Sequence, residues 1–397
     1  MTTGLLMVFI ALSLAFIVSN IIHKMGLPRV IGYLIAGIML SAIVKFLPMS
    51  WDQTFFSQLA DLGIIMLFYF IGLEFDVMPM FRKPGLAVSV SLVNTLLPFI
   101  GGFLIMRYLF GLEVLSSVVI AVCMSMSAQS VSVDILEESR KLKSKVGKLI
   151  IGIGAVDDLI EMVFVTFLLS WFHVGAENTS LIVFVMQMAA FILVLFFARV
   201  WLIPQLLSTF ELEHSSTARF SASIIILLLI ASLAEVLHIS AVLAALFAGI
   251  LVSQTIIKEE RLPNSETKDI SRSIHILAFG FLIPLFFVQV GLKSNVFDIV
   301  GQNGVLSVML PILATIGTVG GSMLVLRLSG HKPLESSVIS WGLNPKGDFE
   351  LVLATLALEL GIISQGLFTA VIVMSLATTI VSPIVFKRLL SRYRVSS

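Results

Sequence analysis

The chain has 397 residues, of which 58% are hydrophobic and only 12% are charged, against about 25% charged residues in an ordinary soluble domain. So few charges could not cover a soluble core of this size, and the composition also excludes a disordered chain, a collagen and a nucleic-acid-binding protein. The net charge of +1 implies no strongly charged partner, and the single Cys123 permits no internal disulfide. The composition therefore predicts an all-α polytopic membrane protein.

Apolar segments of about 20 residues, long enough to cross a bilayer, follow one another along the chain. The first lacks a basic leading region and a small-residue cleavage site, so we interpret it as a retained span rather than a signal peptide. Thirteen spans are predicted, and the division between the eighth and ninth is the weakest. Their ranges are 4–22, 28–46, 56–75, 86–106, 112–136, 146–171, 180–204, 218–237, 240–257, 274–292, 303–326, 334–360 and 364–386.

Positive side chains alternate between the two sides of the predicted spans. Of the 25 Lys and Arg residues, 21 lie after odd-numbered spans or at the chain end, while Lys45, Arg107 and Lys293 lie on the other side and Lys346 lies within a span. Because cytoplasmic connections carry the excess of Lys and Arg, the N-terminus is predicted outside and the C-terminus in the cytoplasm. The predicted location is the plasma or inner membrane.

Spans one to six resemble spans eight to thirteen. Residues 34–41 match 246–253, residues 70–73 match 289–292, and Arg107 with residues 116–118 matches Arg327 with residues 336–338. The two copies start seven crossings apart, so the second must be inverted, and inverted repeats are typical of secondary transporters. We predict one membrane unit over 1–397, with a first repeat at 1–171, a linker helix at 172–217, an inverted second repeat at 218–397 and no cytoplasmic domain.

Adjacent acids, Asp157 and Asp158, lie deep in the sixth span. Asp157 is nine residues beyond Lys148, or roughly 14 Å along a helix, which is about half the hydrocarbon thickness. Charges at that depth are costly and indicate function. Burial and mutual repulsion disfavour two ionised carboxylates, so the pair is expected to hold a proton or an alkali cation in competition. The alternative is a pair neutralised by a neighbouring cation.

Glu161 lies one turn after Asp157 on the same helix face. It could serve as a cation ligand, as a proton relay or as a polar group in helix packing, and the packing role is favoured.

Two spans contain polar interruptions at corresponding places of the two repeats. The fifth carries Ser127, Gln129 and Ser130, and the twelfth carries the sequence GLNPKGD at 342–348. Proline and glycine favour a break in the twelfth span, and paired broken helices are a pointer to a transport site. For Ser127, Gln129 and Ser130 a ligand role and a packing role stay equally open.

Three charges lie at the second interruption, namely Lys346, Asp348 and Glu350. They are interpreted either as groups that neutralise one another in a broken helix or as a charge network that responds to occupancy of the aspartate pair. No phosphate-binding loop, dinucleotide fingerprint or metal-ligand spacing is present in the sequence. No cofactor is therefore expected, and no metal other than an alkali cation at the aspartate pair.

The chain resembles the second family of monovalent cation:proton antiporters, which includes sodium/proton and Kef-type potassium/proton exchangers. The resemblance covers nearly the whole chain. It is carried by the order of GLPRVIGYLIAG at 26–37, FIGLE at 70–74, AVDD at 155–158, FFVQVGL at 286–292 and NPKGDF at 344–349.

The resemblance implies a homodimer in the lipid bilayer whose core domain, with two crossed broken helices, moves like an elevator against a dimerisation domain. It implies that Asp158 carries the ion or proton and that Asp157 marks electrogenic members. Sodium/proton members with this acid pair usually carry a membrane lysine that partners the first acid, and Thr318 lies at that position here. The resemblance therefore does not imply that this chain uses the lysine mechanism, or the stoichiometry that depends on that lysine.

The favoured prediction is Na+/H+ antiport by alternating access, with no enzymatic activity. The first alternative is a Kef-like K+/H+ antiporter that needs a separate cytoplasmic regulatory subunit. A cation channel would conduct without proton coupling, which the acid pair and the inverted repeat argue against. An intramembrane enzyme would need a nucleophile with its base, or metal ligands, at depth, and no histidine lies at the centre of a predicted span.

Overall fold

The computed structural model describes residues 2–46, 53–74, 84–176, 181–205, 216–237, 239–254, 264–294, 302–347 and 349–393. Within these ranges all regular secondary structure is helical. The helices are α1 (Thr2–Lys24), α2 (Arg29–Phe46), α3 (Gln53–Glu74), α4 (Pro84–Leu104), α5 (Val114–Ser125), α6 (Gln129–Glu138), α7 (Lys145–Ala176), α8 (Leu181–Phe197), α9 (Ser216–Val236), α10 (Ala241–Val252), α11 (Asn264–Leu277), α12 (Ile283–Lys293), α13 (Gln302–Leu328), α14 (Pro333–Gly342), α15 (Phe349–Glu359) and α16 (Gln365–Arg392).

Long apolar helices account for most of the predicted spans. Eight helical stretches in the described residues are long and apolar enough to cross a membrane. The other five predicted spans also coincide with helices. Three of these are shorter, α7 carries three acids near its middle, and the twelfth span is divided into α14 and α15. The prediction of a polytopic, all-helical membrane fold is confirmed.

Both predicted interruptions are real breaks in the helices. Helix α5 ends at Ser125 and α6 begins at Gln129, while α14 ends at Gly342 and α15 begins at Phe349. The breaks meet each other, because the Ala128 amide donates a hydrogen bond of 2.6 Å to the carbonyl of Pro345. The Ser132 hydroxyl also donates to the carbonyl of Gly342. Backbone groups that a continuous helix would satisfy internally are thus partly satisfied by the other broken helix.

Glycine allows two pairs of helices to approach closely. A Cβ added at Gly72 of α3 would lie 2.2 Å from the Leu246 carbonyl oxygen of α10 and 3.0 Å from Gly249 Cα. A Cβ added at Gly291 of α12 would lie 2.2 Å from the Leu34 carbonyl oxygen of α2 and 3.0 Å from the Cα of Gly37. Only glycine permits backbones to pack at this distance, and the second contact reproduces the first.

The described chain divides into two compact units that interleave along the sequence. The first comprises residues 1–13, 47–75 and 166–289, and it contains α3, α8, α9, α10 and α11. The second comprises residues 14–46, 76–165 and 290–397, and it contains both broken helices together with α4, α13 and the acidic part of α7. Every described residue of the candidate site belongs to the second unit.

Candidate ion-binding site

Both carboxylate oxygens of Asp157 accept hydrogen bonds. It lies near the middle of the 32-residue helix α7 and is fully buried. Its Oδ1 accepts a hydrogen bond of 2.5 Å from the Ser91 hydroxyl, and its Oδ2 accepts from Asn94 Nδ2 at 3.1 Å and Gln129 Nε2 at 3.3 Å. Three donors stabilise the ionised form of a carboxylate that is removed from water.

Helix α4 supplies two of these donors, Ser91 and Asn94. Neither residue was predicted from the sequence to belong to the site. Ser91 and Asn94 are three residues apart and therefore lie on one face of the helix, and both are fully buried. The Ser322 hydroxyl of α13 lies 3.1 Å from Asn94 Oδ1 and also bonds the Thr318 carbonyl oxygen, so its single hydrogen is shared between two acceptors. Two polar residues at helical spacing in an otherwise apolar span were the signal in the sequence.

Glu161 accepts hydrogen bonds from Ser127, which lies in the break between α5 and α6. Its Oε1 accepts hydrogen bonds from the backbone amide of Ser127 at 2.7 Å and from the Ser127 hydroxyl at 3.1 Å. Gln129 Nε2 donates to the same hydroxyl at 3.2 Å, so Ser127 and Gln129 connect Glu161 to Asp157. The structure thus brings four of the predicted site residues into one buried network.

One peptide group of the first break lies between a cation and an anion. The buried ammonium of Lys346 donates a hydrogen bond of 2.5 Å to the Met126 carbonyl oxygen, while the amide of the same peptide unit, that of Ser127, donates to Glu161. Lys346 also interacts electrostatically with Glu350, Glu161 and Asp157. The predicted charge network therefore contains Lys346 and Glu350, whereas Asp348 lies outside the described residues.

Asp158 and Ser130 occupy less buried positions. Asp158 is partly exposed, in contrast to its fully buried neighbour Asp157, and it interacts electrostatically with both Asp157 and Glu161. Ser130 is exposed, and its side chain makes no hydrogen bond to the network among the described residues. Of the two aspartates, Asp158 is the one that an ion can reach more readily within this chain.

Thr318, for which the resemblance implies the position of the family lysine, is fully buried in α13. Its Oγ1 has no hydrogen-bond partner within the described part of the chain, and its carbonyl oxygen accepts from the Ser322 hydroxyl. Asp157 accepts its hydrogen bonds from neutral side chains, namely Ser91 and Asn94 of α4 and Gln129 of α6. Thr318 has no charge with which to compensate that aspartate.

The site has the chemistry of an alkali-cation or proton site. Within the described residues, four carboxyl groups, those of Asp157, Asp158, Glu161 and Glu350, accompany one ammonium group, that of Lys346. Gln129 Oε1 and Glu161 Oε2 are buried oxygens with no hydrogen-bond partner in the same residues. An excess of buried negative charge must be neutralised by bound protons or cations, and oxygen ligands favour hard cations.

Comparison with known proteins gives a consistent result over nearly the whole chain. The family model "Sodium/hydrogen exchanger, transmembrane" matches residues 9–392. The probable Na+/H+ antiporter 3 of Methanocaldococcus jannaschii is 28% identical, with 96% of this chain and 95% of the relative covered. The Na+/H+-K+ antiporter GerN of Bacillus cereus is 26% identical, with 92% and 90% covered.

A solved structure has a similar fold. The sodium proton antiporter MjNhaP1 of Methanocaldococcus jannaschii, at pH 8, superposes with a TM-score of 0.71 over 97% of this chain and 96% of that chain. The two sequences are 14% identical, so the superposition bears on the fold alone.

Proposed function

The chain belongs to the sodium/hydrogen exchanger family of monovalent cation:proton antiporters, and on that premise we propose that it exchanges Na+ for H+ across a membrane. It is a multi-pass membrane protein of a transporter family, and the proposed activity moves ions without chemical conversion of a substrate. The observation that carries the proposal is the arrangement of the two aspartates. Asp157 is buried and receives three hydrogen bonds, while Asp158 beside it is partly exposed.

In the proposed cycle, Asp158 binds either a proton or the alkali cation. The two occupants compete for one carboxylate, so the release of one follows the binding of the other. The three hydrogen bonds to Asp157 favour its ionised form, whose charge attracts the cation to its neighbour. The unpartnered oxygens of Gln129 and Glu161 lie in the same hydrogen-bonded network and are candidate ligands for a cation that has lost its water.

Sodium is the favoured cation and potassium is the alternative. The relatives from Methanocaldococcus jannaschii and Enterococcus hirae carry Na+/H+ in their names, whereas GerN of Bacillus cereus carries both Na+ and K+. A K+/H+ exchanger with a separate regulatory subunit therefore remains the second candidate. An exchange assay in which Na+ and K+ are added separately distinguishes the sodium exchanger from the potassium exchanger.

We also propose that the protein works as a homodimer in the plasma or inner membrane, with its N-terminus outside and its C-terminus in the cytoplasm. The inverted repeat remains a proposal as well. It is supported by the matching glycine contacts of Gly72 with α10 and of Gly291 with α2. The hairpin turns give further support, because Gly111 and Gly330 both have positive φ, 66° and 83°, at nearly the repeat offset.

Exchange in proteoliposomes tests the function. A pH gradient is imposed, Na+, Li+ or K+ is added, and collapse of the gradient is recorded for the wild type and for Asp158→Asn. We expect Na+ to collapse the gradient in the wild type and to have no effect in the variant. Asp134→Asn, which neutralises an exposed acid of α6, is the control and should exchange normally.

Two outcomes would overturn the proposal. Exchange by well-folded Asp158→Asn would show that this aspartate does not carry the ion. Collapse by K+ alone would identify the potassium exchanger instead.

A further inference from the structure

We propose that Gly154 is a positioning residue of the ion-binding site, because the space left by its missing side chain lets the Gln129 amide lie against Asp157. The inference rests on the proposed function, since it assigns a further residue to the same exchange site. Gly154 has no side chain with which to bind an ion, so its part in the site is to leave room for one that does.

Gly154 and Gln129 belong to two helices that approach closely at this point. Gly154 is buried in α7, three residues before Asp157 and four before Asp158, so it lies on the face of α7 that carries both acids. Gln129 is the first residue of α6. A Cβ added at Gly154 would lie 2.8 Å from Gln129 Cγ, 3.1 Å from its Cδ and 3.2 Å from its Cβ. All three of the nearest atoms outside α7 thus belong to one side chain.

The Gln129 amide makes two hydrogen bonds from this position. Its Nε2 donates to Asp157 Oδ2 at 3.3 Å and to the Ser127 hydroxyl at 3.2 Å. Both distances are at the long end of the range for N–H···O bonds, so a small displacement of the amide would break them. Its Oε1 is buried and has no hydrogen-bond partner within the described part of the chain. The placement of this amide therefore affects a donor to the buried acid and a candidate cation ligand together.

The backbone at the start of α6 is held by the second broken helix. The amide of Ala128, the residue before α6, donates a hydrogen bond of 2.6 Å to the Pro345 carbonyl oxygen. One turn into α6, the Ser132 hydroxyl donates to the Gly342 carbonyl oxygen. Movement of α6 away from α7 would strain or break both contacts, so a crowded side chain at the start of α6 must rotate instead.

A methyl group at position 154 would therefore turn the Gln129 side chain. Carbon atoms in ordinary contact are about 3.5–4.0 Å apart, so a separation of 2.8 Å from Cγ cannot be kept. Cγ and Cβ lie near the backbone rather than at the flexible end of the side chain, and a rotation that relieves them displaces the whole amide. The hydrogen bond to Asp157 is then lost, and the free amide oxygen moves with it.

Gly154→Ala tests the inference, and Gly152→Ala is its matched control. Both glycines lie in α7, two residues apart, and a Cβ at Gly152 would meet nothing within 4 Å. Because alanine is the better helix former, Gly152→Ala should fold at least as well as the wild type and keep its apparent Na+ affinity.

In proteoliposomes with an imposed pH gradient, initial rates of gradient collapse are measured against Na+ concentration. Gly154→Ala should raise the Na+ concentration for a half-maximal rate by about tenfold, which is the order expected for the displaced hydrogen bonds. The maximal rate at saturating Na+ should be kept, because the change weakens binding of the ion rather than movement of the loaded protein.

The double variant Gly154→Ala/Gln129→Ala separates positioning from a general effect on helix packing. Gln129→Ala removes Cγ and the amide, so it should itself lower the apparent Na+ affinity. Gly154→Ala should then add little further loss, because the group that it displaces is already absent. The rise in melting temperature with Na+ concentration in detergent gives the same comparison for a variant that transports too slowly to measure.

The double variant also decides if Gly154→Ala alone does not fold. Removal of the Gln129 side chain should restore folding, because the two closest atoms are gone. A double variant that stays unfolded, while Gln129→Ala alone folds, would show that the methyl group meets another part of the protein and would overturn the inference.

The other contrary results are distinct. Wild-type Na+ affinity in folded Gly154→Ala, an equal loss in Gly152→Ala, or additive losses in the double variant would overturn the role of Gly154 and leave antiport intact. Absence of Na+-driven exchange in the folded wild type would overturn the proposed function itself.

Discussion

Removal of the Ser91 hydroxyl tests whether hydrogen bonding keeps Asp157 ionised. Ser91 provides the only hydrogen bond found to Asp157 Oδ1 among the described residues, at 2.5 Å, and both side chains are fully buried. Ser91→Ala would remove the hydrogen bond that stabilises a negative charge on Oδ1, so the protonated form of Asp157 would gain relative to the ionised form. A hydrogen bond to a charged group contributes about 1.5–3 kcal/mol, and about 1.4 kcal/mol is a tenfold change in an equilibrium constant.

The expected effect is therefore at least about a tenfold gain in competition by protons. Apparent Na+ affinity at a fixed acidic pH should fall by about that factor, and the acidic limb of the pH profile should move to higher pH by about 1 unit. The loss should disappear at alkaline pH, where Asp157 is ionised even without the hydroxyl. Initial rates of gradient collapse, measured against Na+ concentration at several pH values, give both quantities.

Ser89→Ala is the matched control for this experiment. Ser89 lies on the same helix, is exposed, and donates only to the carbonyl of Gly85, four residues earlier. Its variant should have the wild-type pH profile. A folded Ser91→Ala protein whose profile and apparent Na+ affinity match those of the wild type would refute the role given to hydrogen bonding at Asp157.

The remaining predictions concern the supports of the site and the helix packing. Lys346→Gln removes the one buried ammonium of the network and should cost about 3–5 kcal/mol of stability, a loss that shrinks as acidic pH protonates the carboxylates; thermal unfolding at several pH values measures it. Gly72→Ala should lower the melting temperature in detergent, because its Cβ would meet the Leu246 carbonyl, whereas Gly101→Ala, with open space, should not. Glu138→Gln removes the largely exposed acid of an ion pair with Lys387 and should change the unfolding free energy by less than about 1 kcal/mol.

Lys346 and Glu161 bind opposite ends of one peptide group in the break between α5 and α6. The ammonium of Lys346 binds the Met126 carbonyl oxygen, and the amide of the same peptide unit binds Glu161. Each charge is thus attached to one end of the same peptide dipole. The arrangement joins both broken helices to α7, so that a change in the charge of Glu161 acts directly on the backbone at the break.

Much of the architecture followed from local properties of the sequence. The predicted spans coincide with helices because bilayer-length apolar runs must form helices to satisfy their backbone. The breaks after Ser125 and after Gly342 were predicted from polar, glycine and proline residues. The membrane depth of Asp157 was predicted from helical rise alone and stays a prediction. None of these features depends on which helices become neighbours.

The tertiary structure decided which groups surround each acid. The resemblance implied that Thr318 takes the position of the family lysine, but the sequence could not show that Ser91 and Asn94 would donate hydrogen bonds to Asp157. It also left the role of Glu161 open between ligand, relay and packing. These outcomes depend on the rotation and register of α4 and α7 in the folded chain, and a shift of one residue would turn each side chain by about 100° around its helix. The sequence therefore determines that acids lie within the apolar spans, whereas packing determines which side chains contact their oxygens.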